Sequence, residues 1–339
     1  MWLGGTLATL AALGVLAWRL PRTVQGLGLG RIGSAIVVGM VLLTALWAVG
    51  LPFGLFDLWW QHHWGLGPFD VAAWIDAQWA TLGAEAISAM LAIVVLVGLA
   101  GRFRYWWALA TVVFVAIAGT FALVSGWLAA SYTHPLRDET LAADVSRIER
   151  SEGVSGTPVG VQNVSSWTDQ ANAFTIGFGP STHVVLWDTL LDGRFSRGEE
   201  DVVIAHELGH VRSRHIVKAI GWSALIIVAT FWLLGLALRS RGGVGRPENL
   251  PLVFLVLTLL ALVTSPVQNV VSRRYEAEAD WRALRATKDS ASMVKLFRNF
   301  NETSLEEPNP PVWDYLWLEN HPTLMQRIAM AERFRERNR

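Results

Sequence analysis

Two histidines and a glutamate lie close together in the middle of the chain, in the sequence His206-Glu207-Leu208-Gly209-His210. The residues before this sequence predict a helix from Glu199 onward, with acidic side chains in its first turn. Residues four apart lie on one face of a helix, so both imidazoles can reach the same metal ion. Glu207 then lies beside the open coordination position, where it can accept a proton from water. The motif therefore predicts a zinc-dependent hydrolytic site.

A second acidic cluster follows the last apolar run, in the sequence Ser272-Arg273-Arg274-Tyr275-Glu276-Ala277-Glu278-Ala279-Asp280. Glu276 and Asp280 are also four apart, so one carboxylate can bind the metal while the other accepts the ring N–H of a ligand histidine. Without the first motif, this stretch would be interpreted as a solvated helix face. Three protein ligands leave one position for water, as catalytic zinc requires. We choose Glu276 as the ligand and Asp280 as the orienting carboxylate, and we leave Glu278 out of the site.

The rest of the chain offers no comparable metal-binding pattern. It has no cysteine, which excludes thiolate zinc sites and cysteine nucleophiles. Basic and acidic residues balance at 28 each, so nothing indicates a nucleic-acid partner. One zinc ion is the predicted cofactor. The remaining histidines that we considered lack a paired spacing and are assigned no metal role: His62, His63, His134, His183 and His215.

Long apolar stretches dominate the composition. Hydrophobic residues make up 52% and charged residues 17% of the chain, whereas soluble domains carry about 25% charged residues. A helix needs about 20 apolar residues to cross the hydrocarbon core of a bilayer. The run at 86–101 is short and needs help from 71–85. We predict six transmembrane helices, from uncharged apolar runs at 1–18, 32–56, 86–101, 105–133, 219–238 and 250–272.

The polar segments flank the fifth and sixth runs, and this arrangement predicts four parts. These are a membrane region at 1–133 with four transmembrane helices, a first catalytic segment at 134–218, a transmembrane hairpin at 219–272 and a second catalytic segment at 273–339. We expect a mostly α fold, a polytopic membrane helical bundle with a small sheet in its catalytic part. The polar elements are predicted as a helix over Leu136–Arg150, strands over 172–178 and His183–Trp187, and a final helix from Pro322.

At these residues the sequence resembles the type I CAAX prenyl endopeptidases and their bacterial membrane-metalloprotease relatives. The H-E-L-G-H motif, S-R-R-Y-E-A-E-A-D, and His321-Pro322-Thr323 followed by Arg327-Ile328 occur in the family's order. Asn172–Gly179 and Val184–Leu191 look like the family's strand pair beside the active site. Thr323 stands where many members carry proline, and the family usually has seven spans. The resemblance implies a zincin-like α+β catalytic part.

The resemblance also implies roles outside the metal site. Family members bind an extended peptide antiparallel to an edge strand, which would here contain Asn172, Ala173 and Phe174. Without the resemblance, this segment would be an ordinary structural strand. His321 is expected to donate to the oxyanion of the transition state, held in place by Arg327. A histidine before proline is otherwise usually a loop residue.

We interpret the chain as a zinc endopeptidase in which Glu207 takes a proton from water and delivers it to the leaving amine. A metal-binding pseudoenzyme or membrane scaffold is the alternative, but a structural zinc site has no use for Glu207. A transporter is suggested only by the spans and by Asp76 and Glu85. An intramembrane site-2-type protease needs an aspartate motif in a later span, whereas Leu191-Asp192-Gly193 precedes the histidines.

The expected partners are a lipid bilayer and a peptide or protein substrate, and no residue identifies a prenyl pocket. We expect a multi-pass protein of a bacterial cell membrane. Short loops on one side carry arginines, in 19–31, 102–104 and 239–246, while the opposite loop 57–70 has neither lysine nor arginine. The positive-inside rule therefore places both polar segments outside the cytoplasm. Eukaryotic family members are usually drawn with a cytosolic catalytic face, which conflicts with this charge count.

Overall fold

The chain folds mainly into α-helices, in a computed structural model that describes residues 2–24, 28–64, 69–166, 168–304 and 307–338. The described helices are, in chain order, α1 (Trp2–Val24), α2 (Gly30–His63), α3 (Val71–Arg102), α4 (Trp106–Tyr132), α5 (Glu139–Glu152), α6 (Arg197–Ser213), α7 (His215–Ala237), α8 (Leu250–Thr287), α9 (Ser290–Ser304), α10 (Val312–Trp317) and α11 (Leu324–Arg337).

Six of the described helices are long and apolar enough to cross a membrane, namely α1, α2, α3, α4, α7 and α8. This confirms the prediction of six spans. The short third run belongs to a longer helix, because α3 begins at Val71 and its apolar part covers Glu85–Arg102. The preceding stretch with Asp76 is therefore helical and continuous with the span.

Helix α8 continues beyond its apolar part. The sequence places the end of the sixth apolar run at residue 272, but the helix extends to Thr287 and contains Pro266. Glu276 and Asp280 therefore lie on the same helix as the sixth span, one turn apart.

A four-stranded sheet lies in the polar part of the chain. Its strands are β1 (His134–Pro135), β2 (Val159–Gln162), β3 (Ala173–Ile176) and β4 (His183–Trp187), in the spatial order β1-β2-β4-β3. The predicted pair corresponds to β3 and β4, which are antiparallel, and β3 forms an edge of the described sheet. Strands β1 and β2 were not predicted. They are short, and β2 joins β4 in parallel through residues distant in sequence.

Strand β3 ends before the predicted residues 177–178 because of Gly177. Its φ is +77°, a left-handed conformation that favours glycine. A β-carbon there would also collide with the carbonyl of Ser181. Gly177 therefore turns the chain sharply toward β4.

The described residues divide into two compact units, each with its own core. The first comprises Met1–Phe114 and Ala224–Val263, and its buried residues include Leu96, Trp106, Phe231 and Leu234. The second comprises Val115–Ser223 and Thr264–Arg339. A single apolar cluster in the second unit joins α5, α6, α8, α9, α11 and β4. All of the predicted site residues belong to this second unit.

Each of the polar helices α5, α6 and α11 begins directly after a capping residue, and its first residue differs from the one predicted from the sequence. Helix α6 begins at Arg197 because Ser196 and Glu199 form a capping box, with Ser196 N donating to Glu199 at 2.8 Å. Helix α5 begins at Glu139, after the cap Asp138, and ends at Gly153 with φ +69°. Helix α11 likewise begins at Leu324, since Thr323 caps it.

Candidate active site

Helix α6 carries His206, Glu207 and His210 into the interior of the second unit. Glu207 is buried, and the two histidines are partly buried. Gly209 allows α6 to approach α8 closely, because a β-carbon there would lie 3.2 Å from Arg282 Cβ and 3.4 Å from Ala279 Cα. Any larger side chain at this position would press the helix that carries the two histidines away from the helix that carries Glu276.

The side chains of His206, His210 and Glu276 converge on one point. The two Nε2 atoms lie 3.0 Å apart. Glu276 Oε2 lies 3.3 Å from His206 Nε2, and Glu276 Oε1 lies 3.6 Å from His210 Nε2. One ligand atom from each residue lies within 4.8 Å of the other two. The structure thus brings together the three residues that the sequence interpretation chose as ligands.

These three residues fit a zinc ion. Two donors that each lie about 2.1 Å from a tetrahedral zinc are separated by about 3.4 Å, and the observed distances are close to this value. Among the described residues, buried Glu276 Oε2 has no hydrogen-bond partner. A buried carboxylate oxygen without a donor is costly, and a cation between the three side chains would satisfy it.

Asp280 and Arg327 hold His206 in its orientation. Asp280 Oδ1 lies 2.9 Å from His206 Nδ1, so the other ring nitrogen, Nε2, faces Glu276 and His210. Arg327 donates to both oxygens of Asp280, at 2.7 and 2.6 Å. Arg327 was predicted to steady His321, whereas its described hydrogen bonds steady the carboxylate that orients His206. Its predicted role toward His321 stays a prediction.

Two neighbouring carboxylates raise the proton affinity of His206. Burial disfavours a charged ring, but the hydrogen bond with Asp280 and the nearby carboxylate of Glu276 outweigh this cost and raise the pKa of His206 to about 10. Metal ligation requires the unprotonated nitrogen. Zinc binding would therefore release a proton from this cluster and weaken as the pH falls.

Glu207 is positioned by Thr175 of strand β3. The Thr175 hydroxyl lies 2.9 Å from Glu207 Oε2 and 3.0 Å from the Glu207 carbonyl oxygen. Thr175 was missed by the sequence interpretation. Alternation along a strand could have indicated it, since Thr175 lies two residues after Ala173 and therefore on the same face.

The predicted peptide-binding residues separate into two groups. Asn172 and Ala173 line a cavity of about 140 Å³ together with His206, Glu207 and His321. Phe174 is paired with Val185 in the sheet and lies between Ala173 and Thr175. Since alternate residues of a strand point to opposite faces, Phe174 points away from Glu207.

His321 lies at the mouth of the site, in the loop before α11. Its Nε2 is 3.3 Å from Glu276 Oε2, and its Nδ1 is 2.6 Å from Asn320 Oδ1. The side chain is half exposed, and burial of the remainder lowers the pKa of His321 despite the attraction of Glu276. Donation to an oxyanion requires a proton on Nε2, the ring nitrogen that faces Glu276.

A second orienting contact involves two residues that the sequence interpretation left out, His215 and Glu278. His215 Nδ1 lies 2.9 Å from His210 Nδ1, and His215 Nε2 lies 3.3 Å from Glu278 Oε2. The His215 ring is buried and stacks on Tyr275, with ring centroids 4.5 Å apart. His215 thus contacts Nδ1 of His210 as Asp280 contacts Nδ1 of His206, and each contact orients the other ring nitrogen toward Glu276. Its spacing gave no signal, because a left-handed Arg214 breaks the helix between the two histidines.

Comparisons with known proteins agree with this geometry. The model of peptidase family M48 matches residues 135–335. The metalloprotease YhfN of Bacillus subtilis (strain 168) is 27% identical over 210 residues, covering 59% of this chain and 49% of YhfN. A CAAX prenyl protease 1 homolog of Oryza sativa subsp. japonica is 28% identical over 209 residues, covering 58% of this chain and 48% of its own. The chain thus spans about half the length of these two relatives.

A solved structure shares the fold. The crystal structure of Ste24p from S. mikatae superposes with a TM-score of 0.70 at 20% identity, covering 86% of this chain and 73% of that one. The matched range, residues 135–335, contains both histidines of α6, Glu276 and His321. With its six apolar helices, the chain is a multi-pass membrane protein that belongs to peptidase family M48.

Proposed function

We propose that the protein is a zinc-dependent endopeptidase of a bacterial cell membrane that cleaves extended peptides. The observation that carries this proposal is the convergence of His206, His210 and Glu276 on one point. Glu207 follows His206 on helix α6 and is not one of the converging residues. A structural zinc site needs no carboxylate that stays off the metal. In this proposal residues 134–218 and 273–339 form the catalytic part, while 1–133 and 219–272 form the membrane part.

Glu207 would act as the general base. A zinc ion at the site would supply Lewis-acid chemistry, since it lowers the pKa of water and polarises a carbonyl. Glu207 would take the proton from the attacking water and pass it to the leaving amine. The hydroxyl of Thr175 holds Glu207 in place for both transfers.

Strand β3 would bind the substrate through its backbone. It pairs with β4 on one side and forms an edge of the described sheet on the other. A peptide added antiparallel to that edge would gain its register from main-chain hydrogen bonds. Asn172 directly precedes β3 and lines the cavity that His206 and Glu207 also line, so its amide would lie near the scissile bond.

The proposal is tested by metal analysis together with peptide cleavage. We expect the purified protein to contain about one zinc per chain, by the ligand count of a catalytic site. A strong chelator should remove cleavage of an unstructured peptide, and added zinc should restore it. A protein that cleaves equally well after verified loss of the metal would contradict the proposal.

His321 is proposed to stabilise the oxyanion and not to bind the metal, because a fourth protein ligand would close the position that water needs. A donor aimed at a developing oxyanion is typically worth about 10²–10³ in rate. We therefore expect His321→Ala to lower kcat by about this factor while zinc content and KM stay nearly unchanged. The control is His134→Ala, which removes a histidine from β1. Loss of zinc from His321→Ala would mean that the ligand set is misassigned. An unchanged kcat would mean that His321 is only a loop residue with no part in catalysis.

We propose that the catalytic part faces the outside of the cytoplasm. The arginines of 19–31, 102–104 and 239–246 would then lie inside, as the positive-inside rule requires. Because the chain has no cysteine, single cysteines report on one position each. In intact cells, a membrane-impermeant maleimide should label a cysteine at position 150 and leave one at position 241 unlabelled. Labelling of position 241 from outside would overturn this orientation.

A further inference from the structure

The short helix α10 exposes large apolar side chains beside a membrane-spanning helix. Val312 is 75% exposed and Trp313 is 55% exposed. Two prolines, Pro310 and Pro311, precede the helix and restrict its entry. Neither exposed residue has a part in the chemistry proposed above. In a part of the chain rich in polar residues, such exposure points to a surface that water does not cover.

Three side chains of α8 hold the carboxyl end of α10. Ser265 Oγ donates to the carbonyl of Trp317 at 2.9 Å, and Asn269 Nδ2 donates to that of Leu316 at 3.1 Å. Arg273 Nη1 donates to the carbonyl of Tyr315 at 2.8 Å. The three donors are spaced four residues apart and therefore lie on one face of α8. They bind carbonyls of the last turn of α10, and the carbonyls of a helix's last turn in general need donor partners from outside the helix's own hydrogen-bond pattern, such as side chains.

These contacts place the carboxyl end of α10 at the level of the sixth span. Ser265 and Asn269 lie within the apolar run 250–272. Nearby residues on α8, Val267 and Val270, are exposed, as lipid-facing residues of a span are. Inside a bilayer no water is present to hydrogen-bond the end of a helix, so the carbonyls need protein donors. The row of donors from α8 is what a helix end at this level requires.

We propose that α10 inserts its face with Val312 and Trp313 into the lipid at the edge of the bilayer. Tryptophan is enriched at this level because its ring is apolar and its N–H is polar. Arg273 is the charged residue in the contact between α8 and α10. It is buried, and its guanidinium lies 4.2 Å from the centre of the Tyr315 ring. The occupant is lipid and not a protein, because the carboxyl end of α10 is bonded to Ser265 and Asn269 of the apolar run 250–272.

The insertion of α10 would position the oxyanion donor. The chain leaves α10 at Trp317 and reaches His321 four residues later, where Nε2 lies 3.3 Å from Glu276 Oε2. Arg273 also donates to the carbonyl of Glu319, between the helix and His321. The segment that ends at His321 is thus tied at one end to the lipid surface and at the other to α8.

Spin-label accessibility tests this placement. A nitroxide at Val312→Cys in the full chain, reconstituted into phosphatidylcholine vesicles, should be relaxed more strongly by oxygen, which enters lipid, than by a water-soluble nickel chelate. Val267→Cys on the sixth span is the lipid-facing control, and Glu336→Cys on α11 is the exposed aqueous control. Each replaced side chain is exposed, so the labels should not disturb the core.

The outcomes separate lipid from the other occupants. An oxygen preference at Val312 that matches Val267 supports the proposal. A preference for the nickel chelate, as at Glu336, overturns it and leaves α10 in water. Low accessibility to both reagents also overturns it, because a protein then covers the helix, and spin–spin broadening identifies that protein as a second copy of the chain.

Discussion

Replacing Glu207 by glutamine should leave zinc bound and lower kcat by about 10²–10⁴-fold, the range typical of a lost general acid–base. The amide keeps the shape of the side chain and can still accept the hydrogen bond from Thr175, but it cannot take a proton from water. Glu207 is not among the three converging ligands, so the metal content should not change. Zinc by elemental analysis and cleavage of an unstructured peptide measure the two effects on the same sample.

The matched control for this prediction is Glu332→Gln, which changes an exposed glutamate of α11 that is not a predicted site residue. It should retain both zinc and full kcat. A Glu207→Gln protein with near-normal cleavage would exclude Glu207 as the general base. Loss of zinc from this variant would instead place Glu207 among the ligands.

Glu276→Ala should lose both zinc and cleavage. Removing one of three protein ligands leaves only His206 and His210, and two imidazoles do not hold zinc as a catalytic site does. The loss of zinc affinity in Glu276→Ala should exceed that in Asp280→Asn, because Asp280 acts on the metal only through His206. Contacts that orient a metal ligand typically contribute about 10–100-fold in metal affinity, and we expect a loss of this size in Asp280→Asn.

Full zinc occupancy in Glu276→Ala would show that another side chain is the third ligand. Zinc titration against a chelator of known affinity gives the dissociation constants of both variants. Circular dichroism of the zinc-free wild type and the variant separates loss of the ligand from loss of the fold, because the helical content should be the same in both.

Much of this architecture could be predicted from the sequence because its signals are local. An apolar run of about 20 residues is sufficient to identify a span, and a spacing of four is sufficient to place two side chains on one helix face. The convergence of Glu276 with His206 and His210 is not local. It was inferred from the spacing of Glu276 and Asp280 taken together with the first motif, and the structure brings the three together.

Other parts of the site could not be predicted because they depend on tertiary contacts. The contact between His215 and His210 exists because Arg214 adopts φ +53° and redirects the chain after α6. Strand β2 has only four residues, and its partner β4 follows a long stretch of intervening chain. The bidentate contact between Arg327 and Asp280 joins α11 to α8, and no spacing within either helix indicates it.

In the proposed mode of substrate binding, the edge position of β3 sets a conformational requirement on what can be cleaved. Its four residues, Ala173–Ile176, span about 13 Å of extended backbone. In a helix or in the interior of a sheet, a peptide's own amides and carbonyls are already paired and cannot bond to this edge. A substrate bound to β3 as proposed would first have to unfold locally over such a length, and the free energy of that opening would add to the barrier. Proteins would therefore be selected by how readily a segment unravels, more than by the identity of its side chains.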